Sequence, residues 1–147
     1  MKIDENQIEK KLLLDFVDFN NRKVLEIGRG YGRLTEYYFK NAKFVFGIDS
    51  SKRDIESEIK NYFRSKAKFV VGDFNKYNFD MKFDLIIFSK SLHYLSSYKD
   101  AIEKAYSLLE KNGVILIIEP TENDCLNKIT SIFENENKMI NHVYSYI

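Results

Sequence analysis

Apolar residues follow two rhythms along this chain of 147 residues. The first is a short, nearly unbroken run. Val24-Leu25 with Ile27, Phe44-Val45-Phe46, Phe69-Val70-Val71, Leu85-Ile86-Ile87-Phe88 and Val114-Ile115-Leu116-Ile117-Ile118 are such runs. Strands buried on both faces read this way, whereas a half-exposed strand alternates. The second rhythm is helical. Ile8, Leu12, Phe16 and Phe19 keep that spacing within 6–19, and Leu34, Tyr37 and Tyr38 keep it towards residue 40. Ile55, Ile59, Tyr62 and Phe63 form a third such set, and Tyr98, Ala101, Ile102, Ala105, Leu108 and Leu109 a fourth. Buried strands separated by amphipathic helices predict an α/β fold: a doubly wound, Rossmann-like, mostly parallel sheet of about five strands with flanking helices.

The boundaries follow from local chemistry. Asn20-Asn21 breaks the first helix, and Lys111-Asn112-Gly113 ends the last one, with Gly113 expected just past its end. Pro120 forces Glu119 into an extended shape and is expected to end the fifth strand. Beyond it, Leu126, Ile129, Phe133, Ile140, Val143, Tyr144 and Ile147 keep helical spacing. We therefore expect one domain, 1–147, with an N-terminal helix (1–21), a core (22–120) and a helical tail (121–147). A sheet that stops at its fifth strand leaves backbone groups unpaired at one edge. The usual C-terminal strand hairpin is expected to be lacking, so that edge is expected to be covered by the tail, by a homodimer partner or by a second subunit completing the sheet, or else the chain derives from a longer one that has been shortened.

The most informative stretch is Glu26-Ile27-Gly28-Arg29-Gly30-Tyr31-Gly32-Arg33-Leu34. It passes from buried strand through three alternate glycines into a helix start. Glycine there allows positive φ and lets a ligand approach bare main chain. The first N–H groups of a helix favour an anionic ligand group. A dinucleotide turn needs glycine where Arg33 stands, so the spacing disfavours a nicotinamide cofactor. Asp49 ends the second strand, where a carboxylate can accept from both hydroxyls of a ribose, and Ser50 follows it. Ser50-Ser51 also suits the cap of the next helix.

The run acidic-x-Gly-x-Gly-x-Gly from Glu26 resembles the first motif of class I S-adenosylmethionine-dependent methyltransferases. Gly72-Asp73-Phe74 resembles the motif in which an acid meets the adenine amine and an aromatic neighbour covers the ring. Phe83-Asp84-Leu85-Ile86-Ile87-Phe88-Ser89-Lys90-Ser91-Leu92-His93-Tyr94 resembles the fourth-strand motif of the branch that methylates small molecules. There the backbone around Ser89 would meet the amino group of the methionine portion. The resemblance covers about residues 22 to 120. It implies S-adenosyl-L-methionine as cofactor, held by Glu26, Gly28, Gly30, Gly32, Asp49, Ser50, Asp73, Phe74 and Ser89. It implies methyl transfer to a small-molecule substrate, or, as the alternative, a non-catalytic cofactor-binding module or subunit of a larger methyltransferase. Asp84, at the opposite end of its strand, is expected to be structural. Arg29, in a position where many relatives carry a small residue, is expected to be solvated.

No residue stands out as catalytic. His93 is a weak candidate base, because imidazole titrates near neutrality. Methyl transfer from a sulfonium needs alignment more than proton transfer. Composition narrows the setting. Lys and Arg number 23 against 22 Asp and Glu, so no charge excess points to nucleic acid or a membrane surface. The fourth-strand exit also lacks the Asn/Asp-Pro-Pro-aromatic signature of base-methylating enzymes. The single Cys125 and the lack of a matched His/Cys cluster predict no disulfide and no metal, and a cytoplasmic setting. The polar first residues are unlike a secretory signal, and no apolar run is long enough to span a bilayer.

Overall fold

The structure is a computed structural model, and it describes residues 7–56, 65–120 and 127–134. The elements are α1 (Ile8–Phe16), β1 (Lys23–Ile27), α2 (Arg33–Tyr38), β2 (Phe44–Asp49), α3 (Lys52–Glu56), β3 (Ala67–Val71), β4 (Phe83–Ser89), a 3-10 turn (Leu92–Tyr94), α4 (Tyr98–Ser107), β5 (Leu109–Pro120) and β6 (Asn127–Glu134). The sheet order is β3-β2-β1-β4-β5-β6. Strands β1 to β5 run parallel, and β6 is antiparallel to β5. The expected parallel five-strand sheet is therefore present. Among the described residues no helix is long and apolar enough to cross a membrane.

The unbroken apolar runs have the cause assigned to them: alternate residues serve opposite faces, and both faces are covered. Val24, Val45, Leu85, Ile87, Leu116 and Ile118 pack with Leu13 and Val17 of the N-terminal segment and with Leu34, Tyr38 and Phe39. Leu25, Ile27, Phe46, Ile48, Ile86, Phe88, Ile115 and Ile117 pack with Ala101 and Ala105 of α4 and with Phe74 and Phe83. Burying each such side chain stabilises the fold by about 1.5–3 kcal/mol before chain entropy is counted. On the second face Phe46, Phe74, Tyr77, Phe79, Phe83 and Phe88 meet edge-on or tilted, an arrangement that suits the ring quadrupoles.

The tail departs from expectation. Residues 127–134 form a strand, not a helix, and pair with β5 from Val114↔Glu134 to Pro120↔Asn127. Helical spacing in Ile129 and Phe133 competes here with β-branched Ile129, Thr130 and Ile132, and β5 offers a row of unpaired backbone groups. Pairing satisfies that row, so β6 covers the β5 edge from within the chain. Pro120 does not end the pairing; it occupies the last rung, where a missing N–H costs little.

Smaller differences lie at element ends. The left-handed residue after α4 is Asn112, with φ of 65°, and not Gly113. The pairing steps from Phe83↔Leu109 to Leu85↔Val114, so residues 110–113 bulge from β5. Helices α1 and α2 are shorter than their apolar periods suggest. Ile59, Tyr62, Phe63, Cys125, Leu126, Ile140, Val143, Tyr144 and Ile147 lie outside the described residues.

Candidate functional site

The chain winds outward from β1 through β2 to β3, then returns to place β4 on the other side of β1. The crevice at the carboxyl ends of β1 and β4 is therefore the topological switch point, where open α/β sheets bind ligands. Ile27 is level with Phe88 across this pair. The glycine turn is tied to both neighbours: Gly28 N–H donates to the Ile48 carbonyl at 3.0 Å, and Ser91 Oγ donates to the Ile27 carbonyl at 2.8 Å.

The turn glycines are not equivalent. Gly28 has φ of 75°, and a Cβ there would lie 2.3 Å from Ser91 Cβ and 2.8 Å from the Ser89 carbonyl oxygen. Glycine is required at that point for packing against the β4 exit. Gly30 has φ of 54°, yet a Cβ there would meet no atom within 4 Å. It faces open space. Gly32, also at positive φ, is backed by Arg29.

Asp49 joins the turn to the end of β2. Its Oδ2 accepts from Gly30 N–H at 2.8 Å and its Oδ1 from Ser51 N–H at 2.9 Å. Each oxygen keeps a lone pair for a further donor. Ser50, beside it, is exposed. Asp73 stands past the end of β3, partly exposed, with Oδ1 accepting from Asn75 N–H at 2.8 Å. The loop that follows is held by Lys104 of α4, whose ammonium donates to the carbonyls of Phe74 at 2.7 Å, Asn75 at 3.1 Å and Tyr77 at 2.6 Å. Burial lowers the Lys104 pKa, and the Asp73 charge opposes that shift. Phe74 does not wall the crevice. It is 2% exposed and packs against Phe79 and Phe88, because the apolar face of the sheet claims its ring.

Glu26 lies beneath the turn, not on its surface. It is fully buried, and its Oε2 accepts from Thr35 Oγ1 at 2.6 Å and Tyr38 Oη at 2.5 Å, which binds β1 to α2. Its Oε1 has no hydrogen-bond partner among the described residues. Burial pushes this carboxyl above its ordinary range; the two hydroxyl bonds and the Arg29 charge oppose the shift, and the Asp49 charge adds to it. Arg29 is also buried, contrary to expectation, at 3% exposure. Its guanidinium carbon sits 3.9 Å from the centre of the Phe69 ring, and its Nη1 donates to the Gly30 carbonyl at 3.2 Å. Burial lowers its pKa, chiefly against the Glu26 charge. Gly47 makes the room: a Cβ there would stand 2.7 Å from Arg29 Cδ and 2.6 Å from Phe69 Cδ1. A glycine inside an otherwise apolar strand was the available signal.

The β4 exit holds Ser89, partly buried, with its carbonyl against Gly28. Glu119, at the end of β5, was missed by sequence reasoning, although it shares the strand-end position that singled out Asp49 and Asp73. Its Oε1 accepts from Leu92 N–H at 2.9 Å and its Oε2 bonds His93 Nδ1. Asp84 is structural as expected, its Oδ2 accepting from Lys23 N–H at 2.8 Å. Arg33 starts α2 and forms a two-pronged bond with Glu9 of α1.

Fold and crevice define an open α/β domain built to hold a ligand at its switch point. The chain belongs to the methyltransferase domain family, whose description, "Methyltransferase domain", matches residues 25–117. It is 31% identical over 99 residues to a ubiquinone biosynthesis O-methyltransferase of Pelagibacter ubique, covering 66% of this chain and 41% of that protein. It is 26% identical over 136 residues to "Probable polyketide synthase 42" of Dictyostelium discoideum, covering 76% of this chain and 5% of that protein. The fold also matches the crystal structure of the N-methyltransferase NodS from Bradyrhizobium japonicum, with a TM-score of 0.69 and 23% identity over 83% of this chain and 74% of that one. The chain spans about half or less of the length of the curated relatives named and compared.

Proposed function

We propose that this chain is an S-adenosylmethionine-dependent methyltransferase acting on a small-molecule acceptor. The observation that carries the reading is the open space before Gly30, bordered by the Asp49 carboxylate that fastens the same residue. A bare main chain beside an acid with spare lone pairs suits a ribose and the chain attached to it. Asp49 holds the ribose hydroxyls, Asp73 accepts from the adenine amine, and the main chain at Gly28, Gly30 and Ser89 takes the amino-acid portion. Ser50 borders the ribose from its exposed position. Glu26 acts at one remove, by bracing β1 against α2, and Gly32 by making room for Arg29. Phe74 has no part in covering the base. When bound, the cofactor supplies an electrophilic methyl group on a sulfonium.

Calorimetric titration with S-adenosylhomocysteine, S-adenosylmethionine and NAD tests this reading. Binding of the first two and not the third is expected. Binding of NAD, or no binding of S-adenosylhomocysteine at millimolar concentration, overturns it. Transfer of labelled methyl to a panel of hydroxyl, amine and carbon acceptors then separates an enzyme from a binding module.

A further inference from the structure

Among the described residues, the residues other than glycine at positive φ are Gln7, Asn21, Lys90 and Asn112. Asparagine tolerates that region, and Gln7 stands outside the first helix as its cap. Lys90, at φ of 49°, has neither reason, and a glycine would hold the same turn without strain. A strained residue fixed by its surroundings points to function. Here the surroundings fix it. Lys90 N–H donates to the Ile118 carbonyl at 2.7 Å, and its neighbours Ser89 and Ser91 both lie against Gly28. The Lys90 backbone is thereby pinned to the β4 side of the crevice. Its side chain is partly buried and forms no ion pair among the described residues. Arg33, which follows the glycine turn after β1, is near enough for its charge to act on Lys90. Burial lowers the Lys90 pKa and Arg33 lowers it further, and no described carboxylate offsets either effect. The two-pronged bond from Glu9 holds the Arg33 guanidinium in place. These two cations thus come from the two strands that border the crevice, while Asp49 and Asp73 stand on the other flank, after β2 and β3.

We propose that Lys90, with Arg33 beside it, is a subsite for a negatively charged group on the methyl acceptor, a carboxylate or a phosphate. The assignment rests on the methyltransferase reading above. A partly buried ammonium next to a second cation gains from an anion, because charge-assisted bonds strengthen where water is scarce. The strain at Lys90 has the same explanation: glycine would relax the turn but would supply no charge. The crevice rim then divides by charge. Acids on the β2 and β3 side suit the hydroxyl and amine donors of the cofactor, and the cations on the β4 side suit an acidic acceptor. The cofactor's own carboxylate is the other source of the same chemistry. On the reading above the main chain takes that portion, which leaves Lys90 to the acceptor.

The test is lysine side-chain NMR of the full chain saturated with S-adenosylhomocysteine. Benzoate and inorganic phosphate are the anion probes, and benzamide is the uncharged counterpart. The Lys90 signal is identified by its loss in Lys90→Met. Both anions are expected to shift it at millimolar concentration, and benzamide is not. Lys90→Met should weaken benzoate binding by about fivefold or more, and Lys90→Arg should keep it within about twofold. Lys90→Gly should bind benzoate as weakly as Lys90→Met, yet unfold at a higher urea concentration than the wild type, because it relieves the positive φ. A lysine with only a structural role would not give that split. Affinity for S-adenosylhomocysteine should stay within about twofold in all three variants. A Lys90 signal that neither anion moves, equal binding of benzamide, or unchanged benzoate binding in Lys90→Met overturns the assignment. So does a loss of S-adenosylhomocysteine affinity of about tenfold in Lys90→Met, which gives the subsite to the cofactor's own carboxylate. If the wild type binds S-adenosylhomocysteine in those cases, only the subsite fails; if it does not, the methyltransferase reading fails first.

Discussion

Glu26 and Asp49 stand on adjacent strands and flank one glycine turn, but they do different work. Beneath the turn, Glu26, Arg29, Thr35 and Tyr38 are buried and serve each other or the backbone. At the rim, Asp49 and Asp73 are half-exposed and accept from main-chain N–H groups with lone pairs to spare. A charged group in the lower layer faces a desolvation penalty that neighbours only partly offset, so its chemistry is spent on holding the fold. A rim carboxylate stays in contact with water and can exchange that water for a ligand. The same residue type at nearby positions thus acts as a brace or as a binding group according to which side of the turn it faces.

Substitutions can break this contrast. The largest effect is expected from Gly28→Ala, which combines a positive φ with contact on Ser91 and Ser89. It should destabilise the fold by about 3 kcal/mol, read by urea unfolding, with loss of ligand binding as a consequence. Lys104→Met comes next. It removes the donor shared by three loop carbonyls and should cost about 2 kcal/mol of stability, with a smaller loss of S-adenosylhomocysteine affinity through Asp73. Gly30→Val and Asp49→Ala sharpen the contrast from the rim side. Each should weaken S-adenosylhomocysteine binding at least tenfold, about 1.4 kcal/mol, in calorimetry. For Gly30→Val the side chain enters open space, but a β-branched residue at φ of 54° is strained, so a stability loss of about 1–2 kcal/mol should accompany the loss of affinity. Unchanged affinity in both would place the binding groups elsewhere.

The smallest effect is a pH slope. Burial raises the folded-state pKa of Glu26 above its value in the unfolded chain. The folded state therefore keeps the proton longer, and the stability this gives is complete below the ordinary carboxylate pKa. It declines as pH rises from there through the raised value. Glu26→Gln removes the titrating group, so its unfolding free energy should lose less than the wild type across that window. Parallel pH profiles of wild type and variant would show that Glu26 has the same pKa in the folded and unfolded chain.

Much of this was legible in the chain. Unbroken apolar runs between helical periods specified a parallel sheet with two covered faces, since only strands buried on both sides dispense with alternation. The glycine spacing with Asp49 and Asp73 at strand ends located the crevice, because parallel strands bring such ends to one side of the sheet. What remained hidden depended on contacts between distant segments. Helical spacing in 127–134 gave way to the unpaired edge of β5, and no local propensity encodes that edge. Phe74 looked like a lid for a base and became core, because a ring beside an apolar sheet face is drawn to it. Arg29 went under the turn because Gly47, on another strand, left space there. Glu119 found its partner in a histidine 26 residues earlier in the chain. Strand order and side-chain period are local properties summed along the chain. Which face of the turn a charge occupies depends on the space its neighbours leave, and only the packed molecule decides that.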